Sequence, residues 1–168
     1  MQPDSLILNH QQVTQKIRRI AYEIYERNFE EECLLIAGIE GTGYLLAEVL
    51  KDEICKIAPF TVEVLRVKLD KIAPSQSDVE ISCQPEFLKG KTIILVDDVQ
   101  NSGKTLSYSL KPFLNVPIKK LQIAVLVNRG YRRFPVSPDY IGYELSTTVN
   151  QHITVVLDKP NQWGVYLF

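Results

Sequence analysis

The chain has 168 residues, of which 45% are hydrophobic and 23% are charged, and this composition predicts one soluble domain spanning residues 1–168. Its net charge of −1 excludes a general attraction to nucleic acid, and no apolar run is long enough to span a membrane. The chain does not begin with a signal-peptide pattern, and Cys33, Cys55 and Cys83 are interpreted as buried reduced thiols, so we expect a cytoplasmic protein.

An amphipathic helix is predicted over about residues 10–28. Asn9 is a candidate N-cap, Gln12 occupies the reciprocal position of a capping box, and apolar residues follow at helical spacing. The polar side of this helix carries three arginines, Arg18, Arg19 and Arg27. A solvated surface explains these arginines without a ligand, and the glutamates between them favour that interpretation.

A strand, a glycine-rich loop and a second helix follow. Residues 33–37 are typical of a buried strand, residues 38–43 contain three glycines, and residues 45–54 have the spacing of an amphipathic helix. This order places backbone N–H groups and the positive end of a helix dipole where an anion can bind. The alternative is a tight turn without a ligand. A dinucleotide fingerprint is excluded because the Gly-x-Gly-x-x-Gly order is absent.

Residues 61–67 alternate between apolar and polar side chains, and this alternation predicts a strand with one polar face. The stretch from Asp70 to Pro85 has no periodicity and contains several residues that favour loops. We therefore expect a mobile loop between this strand and the next one.

The most informative stretch is residues 93–106. Its first four residues are apolar and predict a buried strand of a parallel sheet, and Asp97 and Asp98 come directly after them. Small polar residues then lead to a helix that begins near Thr105. Ligands of open α/β sheets bind beyond the carboxyl ends of the strands. This loop offers carboxylates for hydroxyls or a metal, and amides for a phosphate, which are the groups that a phosphorylated sugar requires.

Residues 102–105 read Ser-Gly-Lys-Thr, like the end of a Walker A motif. The first glycine of that motif corresponds here to Asp98, whose negative charge would oppose the phosphates of a nucleotide. A P-loop nucleotidase is therefore disfavoured. The other alternative is a buried strand that merely ends in a polar turn, since aspartates are common in turns. The complete run of strand, acid pair, small polar loop and helix start favours a binding loop instead.

Beyond this loop, Pro112 is expected to kink or shorten the helix, and residues 121–127 predict another buried strand. That strand is followed by Arg129, Arg132 and Arg133, which can meet phosphate, pyrophosphate or RNA. A solvated turn explains the last two arginines at least as well. Short strands are predicted at residues 140–142, 153–157 and 164–168.

Residues 93–105 resemble the loop of type I phosphoribosyltransferases that binds 5-phosphoribosyl diphosphate (PRPP). The likeness extends over nearly the whole chain, and it is greatest to the pyrimidine-operon regulators of this family that are also uracil phosphoribosyltransferases. It implies an α/β fold with a mostly parallel central sheet between helices, a small C-terminal hood, and a homodimer or higher homo-oligomer. The segments that carry the likeness are residues 7–9, 19–21, 26–28, 95–99, 124–130, 139–142 and 156–158.

In that family two acidic residues hold the ribose hydroxyls of PRPP, and the loop after them binds the 5′-phosphate. The resemblance assigns Asp97 and Asp98 to the ribose and to Mg²⁺, which they would hold directly or through water. It makes these two acids and Lys71 the candidate catalytic residues. The residues implied to bind the 5′-phosphate are Asn101, Ser102, Gly103, Lys104 and Thr105. The residues implied to bind pyrophosphate are Ile39, Glu40, Gly41, Thr42 and Arg129.

The implied reaction transfers the phosphoribosyl group of PRPP to a nucleobase, with a pyrimidine such as uracil suspected, and releases pyrophosphate. Three departures from the family pattern matter, and one of them is Tyr131 at a position that aligns with a histidine of the family. The pyrophosphate loop has Glu-Gly-Thr at residues 40–42 where the family has basic residues, and Lys71 replaces an arginine-containing run. These departures leave an alternative open, namely a catalytically weak or inactive regulator of pyrimidine metabolism. Such a regulator would sense PRPP or bind RNA at Arg18, Arg19 and Arg27.

Overall fold

The computed structural model describes residues 5–75, 78–148 and 151–168, and in these ranges the chain forms nine strands and five helices. In chain order these elements are β1 (Ser5–Leu8), α1 (His10–Asn28), β2 (Cys33–Ile39), α2 (Thr42–Cys55), β3 (Thr61–Lys68), β4 (Glu80–Ile81), α3 (Pro85–Leu88), β5 (Thr92–Gln100), α4 (Lys104–Ser109), α5 (Lys111–Leu114), β6 (Lys120–Asn128), β7 (Tyr140–Glu144), β8 (Ile153–Val156) and β9 (Gly164–Leu167).

A six-stranded sheet with the order β4-β3-β2-β5-β6-β7 forms the centre of the fold. Strands β3, β2, β5, β6 and β7 are parallel, and β4 pairs antiparallel with β3. Strands β2 and β5 are buried along most of their length because helices cover both faces of the sheet. The carboxyl ends of the parallel strands therefore meet at one edge. The predicted α/β fold with a mostly parallel central sheet is confirmed.

The two faces of the sheet belong to separate apolar clusters. Helices α1 and α2 contribute Ile17 and Leu46 to the cluster on one face, where Ile94 of β5 points. The opposite face packs Leu95 of β5 in one cluster with Leu106 of α4. Full burial of one such side chain stabilises the fold by about 1.5–3 kcal/mol. This two-sided packing explains why the central strands have almost no polar residues before the acid pair.

A second, three-stranded antiparallel sheet with the order β1-β9-β8 forms the hood. Leu8, Val155 and Val165 of this sheet are buried in the same cluster as α1 and α2, so the hood packs on the main core. The predicted C-terminal hood is confirmed, but its third strand was missed. Strand β1 comes from the N-terminus and pairs with β9, and a local sequence pattern cannot show a partner so distant along the chain.

Helix α1 has the predicted bounds, His10–Asn28, and the predicted capping box. The Asn9 side chain accepts from the Gln12 N–H at 3.0 Å, and the Gln12 side chain accepts from the Asn9 N–H at 2.9 Å. Two donors that would otherwise lack intrahelical partners are thereby satisfied.

The three arginines of α1 are all exposed and lie outside its buried stripe, as predicted, but they contact different partners. Arg18 pairs with Glu53 of α2 at 3.4 Å. Arg19 donates to two carbonyl groups of β7 at 2.8 and 2.7 Å, and Arg27 donates to the carbonyl just before β7 at 3.2 Å. Arg18 and Arg27 are nine residues apart, which places them on opposite flanks of the buried stripe of the helix. Whether any of these arginines binds RNA stays a prediction.

The stretch between Asp70 and Pro85 contains regular structure that was not predicted. Strand β4 and the beginning of α3 lie in it, whereas Gln76 and Ser77 of the predicted loop lie outside the described residues. The predicted break at Pro112 is confirmed, because α4 ends and the separate helix α5 begins just before it.

The prediction that all three thiols are buried is wrong for Cys55, which is exposed at the end of α2. Cys33 and Cys83 are partly buried, and within the described residues all three cysteines are free thiols. Among the helices in the described ranges, none is both long enough and apolar enough to cross a membrane.

Candidate active site

The acid pair lies at the carboxyl edge of the main sheet. Strand β5 continues to Gln100, so Asp97 and Asp98 belong to the strand and not to the loop in which they were predicted. Only 4% of Asp97 is exposed, while Asp98 is partly exposed. The Asp98 N–H donates to Asp97 Oδ1 at 3.0 Å, which fixes the orientation of the buried carboxyl group.

Burial raises the pKa of Asp97 to about 8, and the negative charge of Asp98 acts in the same direction. Lys71 Nζ lies 3.7 Å from Asp97 Oδ1 and lowers the pKa, but it is 44% exposed and does not offset the burial. Near neutral pH the Asp97 carboxyl group therefore holds a proton that a bound cation would replace.

This electrostatic arrangement fits Mg²⁺. The ion is usually bound by one or two carboxylates together with oxygen atoms of the substrate and water. Within the described ranges no group of three or more histidine, cysteine, aspartate or glutamate side chains is arranged to hold a metal. Asp97 and Asp98 are the side chains that would hold Mg²⁺, together with oxygen atoms of a substrate and water.

The glycine-rich loop reaches the acid pair through Gly43, in the first turn of α2. A Cβ atom at this position would lie 2.8 Å from Asp97 Oδ1 and 3.1 Å from the Val96 carbonyl oxygen, so only glycine permits this approach. Gly41, at the N-cap position, has φ 97° and has no side chain to cap the helix. The first N–H groups of α2 therefore lie next to the acid pair and are available to an anion.

The predicted phosphate loop follows β5 and leads into α4. Gly103 has φ 82°, a left-handed conformation that favours glycine. The Ser102 carbonyl accepts the N–H groups of Arg133 and Phe134 at 2.9 and 3.0 Å. The loop is thus held in place by the segment after β6, which the sequence analysis did not anticipate. It encloses a cavity of about 50 Å³, lined by Asp97, Val99, Gln100, Asn101, Ser102, Gly103, Lys104, Thr105 and Leu106.

Arg129 lies beside this phosphate loop. Its Nη1 donates to Asn101 Oδ1 at 3.2 Å, its Nη2 donates to the Thr148 carbonyl at 2.6 Å, and its Nε donates to the Thr147 hydroxyl. It is 7% exposed, and no carboxylate in the described part of the chain lies within 4.0 Å of it. Its charge is therefore available to a phosphate, although the structure does not place it at the predicted pyrophosphate loop.

A cavity with a volume of about 470 Å³ lies at this edge, between α2 and the hood. It is lined by Gly41, Thr42, Tyr44, Leu45, Arg66, Val155, Leu157 and Asp158. Two pyrophosphate-loop residues, Gly41 and Thr42, are therefore at its wall, whereas Ile39 is fully buried in β2. Arg66 and Asp158 line this cavity but were not predicted as site residues. The available signal for Arg66 was its polar position in an alternating strand, near the carboxyl end.

A parallel sheet with an acid pair, a phosphate loop and a glycine-rich loop at its carboxyl edge, below a small hood, defines the class of type I phosphoribosyltransferases. A family model described as a phosphoribosyl transferase domain matches residues 5–160. The chain therefore belongs to the phosphoribosyl transferase domain family, and the predicted enzyme class, phosphoribosyltransferase, is confirmed.

Relatives with the name "Bifunctional protein PyrR" support this assignment. The chain is 35% identical to the one from Brevibacillus brevis, with 91% of this chain and 89% of the relative covered. It is 33% identical to the one from Clostridium kluyveri, with 99% of both chains covered. The predicted resemblance to the bifunctional regulators is thus confirmed.

Solved structures show the same fold. A hypoxanthine-guanine phosphoribosyltransferase from Bacillus anthracis superimposes with a TM-score of 0.75 at 17% identity, covering 99% of this chain and 98% of that one. A hypoxanthine phosphoribosyltransferase from Trypanosoma cruzi has a TM-score of 0.77 at 14% identity, with 98% of this chain and 89% of that one covered. At these identities the likeness concerns the fold alone.

Proposed function

We propose that this phosphoribosyltransferase binds PRPP and Mg²⁺, transfers the phosphoribosyl group to a pyrimidine base such as uracil, and releases pyrophosphate. The observation that carries the proposal is the contact between Gly43 and Asp97, which joins the glycine-rich loop to the acid pair. PRPP carries its pyrophosphate and a ribose hydroxyl on adjacent carbon atoms. A protein that binds both groups needs an anion site directly beside an acid pair, and this edge of the sheet has that arrangement.

Each predicted site residue has a role in this proposal. Asp97 and Asp98 accept hydrogen bonds from the ribose hydroxyls and hold Mg²⁺, directly or through water. Residues 101–105 bind the 5′-phosphate through backbone amides and hydroxyl groups, and Arg129 adds positive charge to phosphate binding. Residues 40–42 border the pyrophosphate, and Ile39, buried in β2, holds the start of this loop in place. Lys71, 3.7 Å from Asp97, adds positive charge on the side of β3.

The reaction needs positioning and charge stabilisation more than covalent chemistry. The bond between the anomeric carbon and pyrophosphate breaks, the sugar becomes oxocarbenium-like, and a ring nitrogen of the base attacks it. The proton of that nitrogen passes to the released pyrophosphate or to water. Asp97 and Asp98 orient the ribose, and their negative charge stabilises the positive charge that develops on the sugar. Mg²⁺, when bound, supplies positive charge to the departing pyrophosphate. Val155 and Leu157 of the hood present an apolar surface that keeps water from the base.

A turnover assay tests the proposal. The protein is incubated with PRPP, Mg²⁺ and uracil, hypoxanthine or guanine, and pyrophosphate release is followed. We expect release with uracil, and we expect Asp97→Asn and Asp98→Asn each to lower kcat/KM by about 100-fold or more, as the loss of a key electrostatic group does. Asp52→Asn, an exposed substitution on α2, is the control and should have wild-type activity.

The outcomes separate the class of reaction from the choice of base. Release with a purine instead of uracil would refute the pyrimidine assignment and leave phosphoribosyl transfer intact. Absence of release with every base, from a protein that remains folded, would refute the transferase proposal. We further propose a cytoplasmic homodimer or higher homo-oligomer, whose mass light scattering would determine.

The alternative function is a catalytically weak or inactive regulator that senses PRPP or binds RNA. It is favoured by Glu40, since a carboxylate beside a pyrophosphate opposes its binding. PRPP binding without turnover on any base would support a sensor. RNA binding is tested by titration at several salt concentrations with Arg18→Ala and Arg19→Ala. Unchanged affinity and unchanged salt dependence in both variants would exclude these arginines as the RNA site.

A further inference from the structure

The pyrophosphate loop has the wrong charge for its proposed ligand. Pyrophosphate carries several negative charges, and groups that stabilise it as it departs should be positive. The loop instead offers Glu40, Gly41 and Thr42. Among the described residues that line the 470 Å³ cavity at this loop, Arg66 is the one cation, and it comes from β3 and not from the loop itself.

The backbone of Arg66 is held near the carboxyl end of β3. Arg66 lies opposite Gly38 in the register of β2 and β3, two residues before Glu40. Its N–H donates to the Ser82 hydroxyl at 2.9 Å, and its carbonyl accepts the Ser82 N–H at 3.0 Å. The flanking residues Leu65 and Val67 are buried in the cluster on the opposite face of the sheet, so the alternation of the strand directs the Arg66 side chain to the face covered by α2.

The side chain of Arg66 is directed to the start of α2. Its guanidinium carbon lies 4.2 Å from the centroid of the Tyr44 ring, in a cation–π arrangement. Tyr44 belongs to the first turn of α2, the same turn whose N–H groups are available beside Asp97. Packing on this ring therefore keeps a guanidinium group close to the amides that would bind the pyrophosphate.

The present partner of Arg66 is easily exchanged. Its Nη1 lies 3.8 Å from Glu40 Oε1, and the two side chains are 50% and 45% exposed. Such exposed pairs contribute little stability, because water and salt screen them. A pyrophosphate offers more negative charge and a geometry that matches the two-pronged hydrogen bonding of an arginine.

We propose that Arg66 is the pyrophosphate-binding cation of this site: it neutralises Glu40 when the site is empty and transfers to the pyrophosphate when PRPP binds. This inference rests on the proposed function. It explains how a loop with a glutamate accommodates an anion, because the positive charge is supplied by the neighbouring strand. Arg66 is thus a binding residue for the leaving group, and it is distinct from the acid pair that holds the ribose.

Calorimetric titrations of PRPP, inorganic pyrophosphate and ribose 5-phosphate, each with Mg²⁺, test the proposal in Arg66→Met and Arg66→Lys. We expect Arg66→Met to weaken PRPP and pyrophosphate binding at least about tenfold, the loss expected for one charge-assisted hydrogen bond. Ribose 5-phosphate should bind as it does to the wild type. Arg66→Lys keeps the charge but lacks the planar guanidinium group. Its affinity for PRPP and pyrophosphate should lie between those of the wild type and Arg66→Met.

Two further variants sharpen the result. Lys56→Met removes another exposed cation paired with a glutamate and should change none of the three affinities. Glu40→Gln removes the repulsive carboxylate and should tighten pyrophosphate binding several-fold without touching Arg66. Weaker pyrophosphate binding in Glu40→Gln would overturn the proposal.

The three ligands distinguish the failure of this inference from the failure of the proposed function. If the wild type binds PRPP, and Arg66→Met binds pyrophosphate as tightly as the wild type does, this inference alone is overturned. Equal losses for pyrophosphate and ribose 5-phosphate in Arg66→Met would also overturn it, since they would indicate general damage to the site. If the wild type binds none of the three ligands, the proposed function fails and this inference fails with it.

Discussion

Replacing Asp97 by asparagine should stabilise the empty protein while it destroys the proposed site. The unfolded chain ionises this carboxyl at its ordinary pKa of 3.8, whereas the folded protein retains the proton up to a pKa of about 8. Between these values the folded state binds more protons than the unfolded state, so the stability of the wild type falls as pH rises. The fall reaches about 1.4 kcal/mol per pH unit, and it amounts to about 5 kcal/mol at pH 8 and to at most about 6 kcal/mol at higher pH.

The amide introduced by Asp97→Asn does not titrate, so the variant escapes this loss. The buried amide lacks some of the partners it needs, which costs about 1–3 kcal/mol. We therefore expect a net gain of about 2–4 kcal/mol at pH 8, from the difference between these two magnitudes. Below pH 4.5 the gain should vanish or reverse, because the wild-type carboxyl is then increasingly protonated in both states.

Urea unfolding at pH 4.5, 6.5 and 8, without Mg²⁺ or PRPP, measures this effect as the difference between variant and wild type. Asp52→Asn, on the exposed side of α2, should give a difference that does not change with pH. Added Mg²⁺ and PRPP should stabilise the wild type and not Asp97→Asn, because the variant lacks the charge that holds them. A difference between Asp97→Asn and wild type that is flat across this pH range would refute the electrostatic reasoning.

Three further substitutions have expected outcomes. Gly43→Ala should lower the free energy of unfolding by about 1–3 kcal/mol through overpacking against Asp97, partly offset by about 1 kcal/mol of helix propensity. The same variant should weaken PRPP binding in calorimetry at least tenfold. A variant with wild-type affinity for PRPP would contradict the close approach of Gly43 to Asp97. Asn9→Ala should lower the free energy of unfolding in urea by about 1 kcal/mol through loss of the cap, with PRPP affinity unchanged. Arg129→Met should cost about 2–4 kcal/mol in the same assay, because the charge-assisted hydrogen bonds of this buried guanidinium group to Asn101, Thr147 and Thr148 are lost; a loss below about 1 kcal/mol would refute this contribution to stability.

The parts of the fold that could be predicted are those with local signals. Helix α1 was found within its bounds because a capping box and a buried stripe are both short-range patterns. Strands β2 and β5 were found because burial on both faces leaves only apolar residues. Strand β1 was missed because its partner β9 is far away along the chain, and the end of β5 was misplaced because Asp97 and Asp98 look like loop residues. The pairing of β5 with β6 outweighed the preference of aspartate for turns.

The charge of the proposed site also could not be predicted from local sequence patterns. If charges are counted along the sequence, the pyrophosphate loop is acidic, and Glu40 alone suggests that an anion cannot bind there. If charges are counted along the edge of the sheet, two cations are added. Glu40 faces Arg66 of β3, and the segment after β3 brings Lys71 to Asp97. Parallel strands place residues that are tens of positions apart at one edge, so the charge that a ligand meets belongs to the edge and not to any single loop. A loop that departs from its family pattern is therefore best judged against the ends of the strands on either side of it, because a neighbouring strand can supply the cation that the loop has lost.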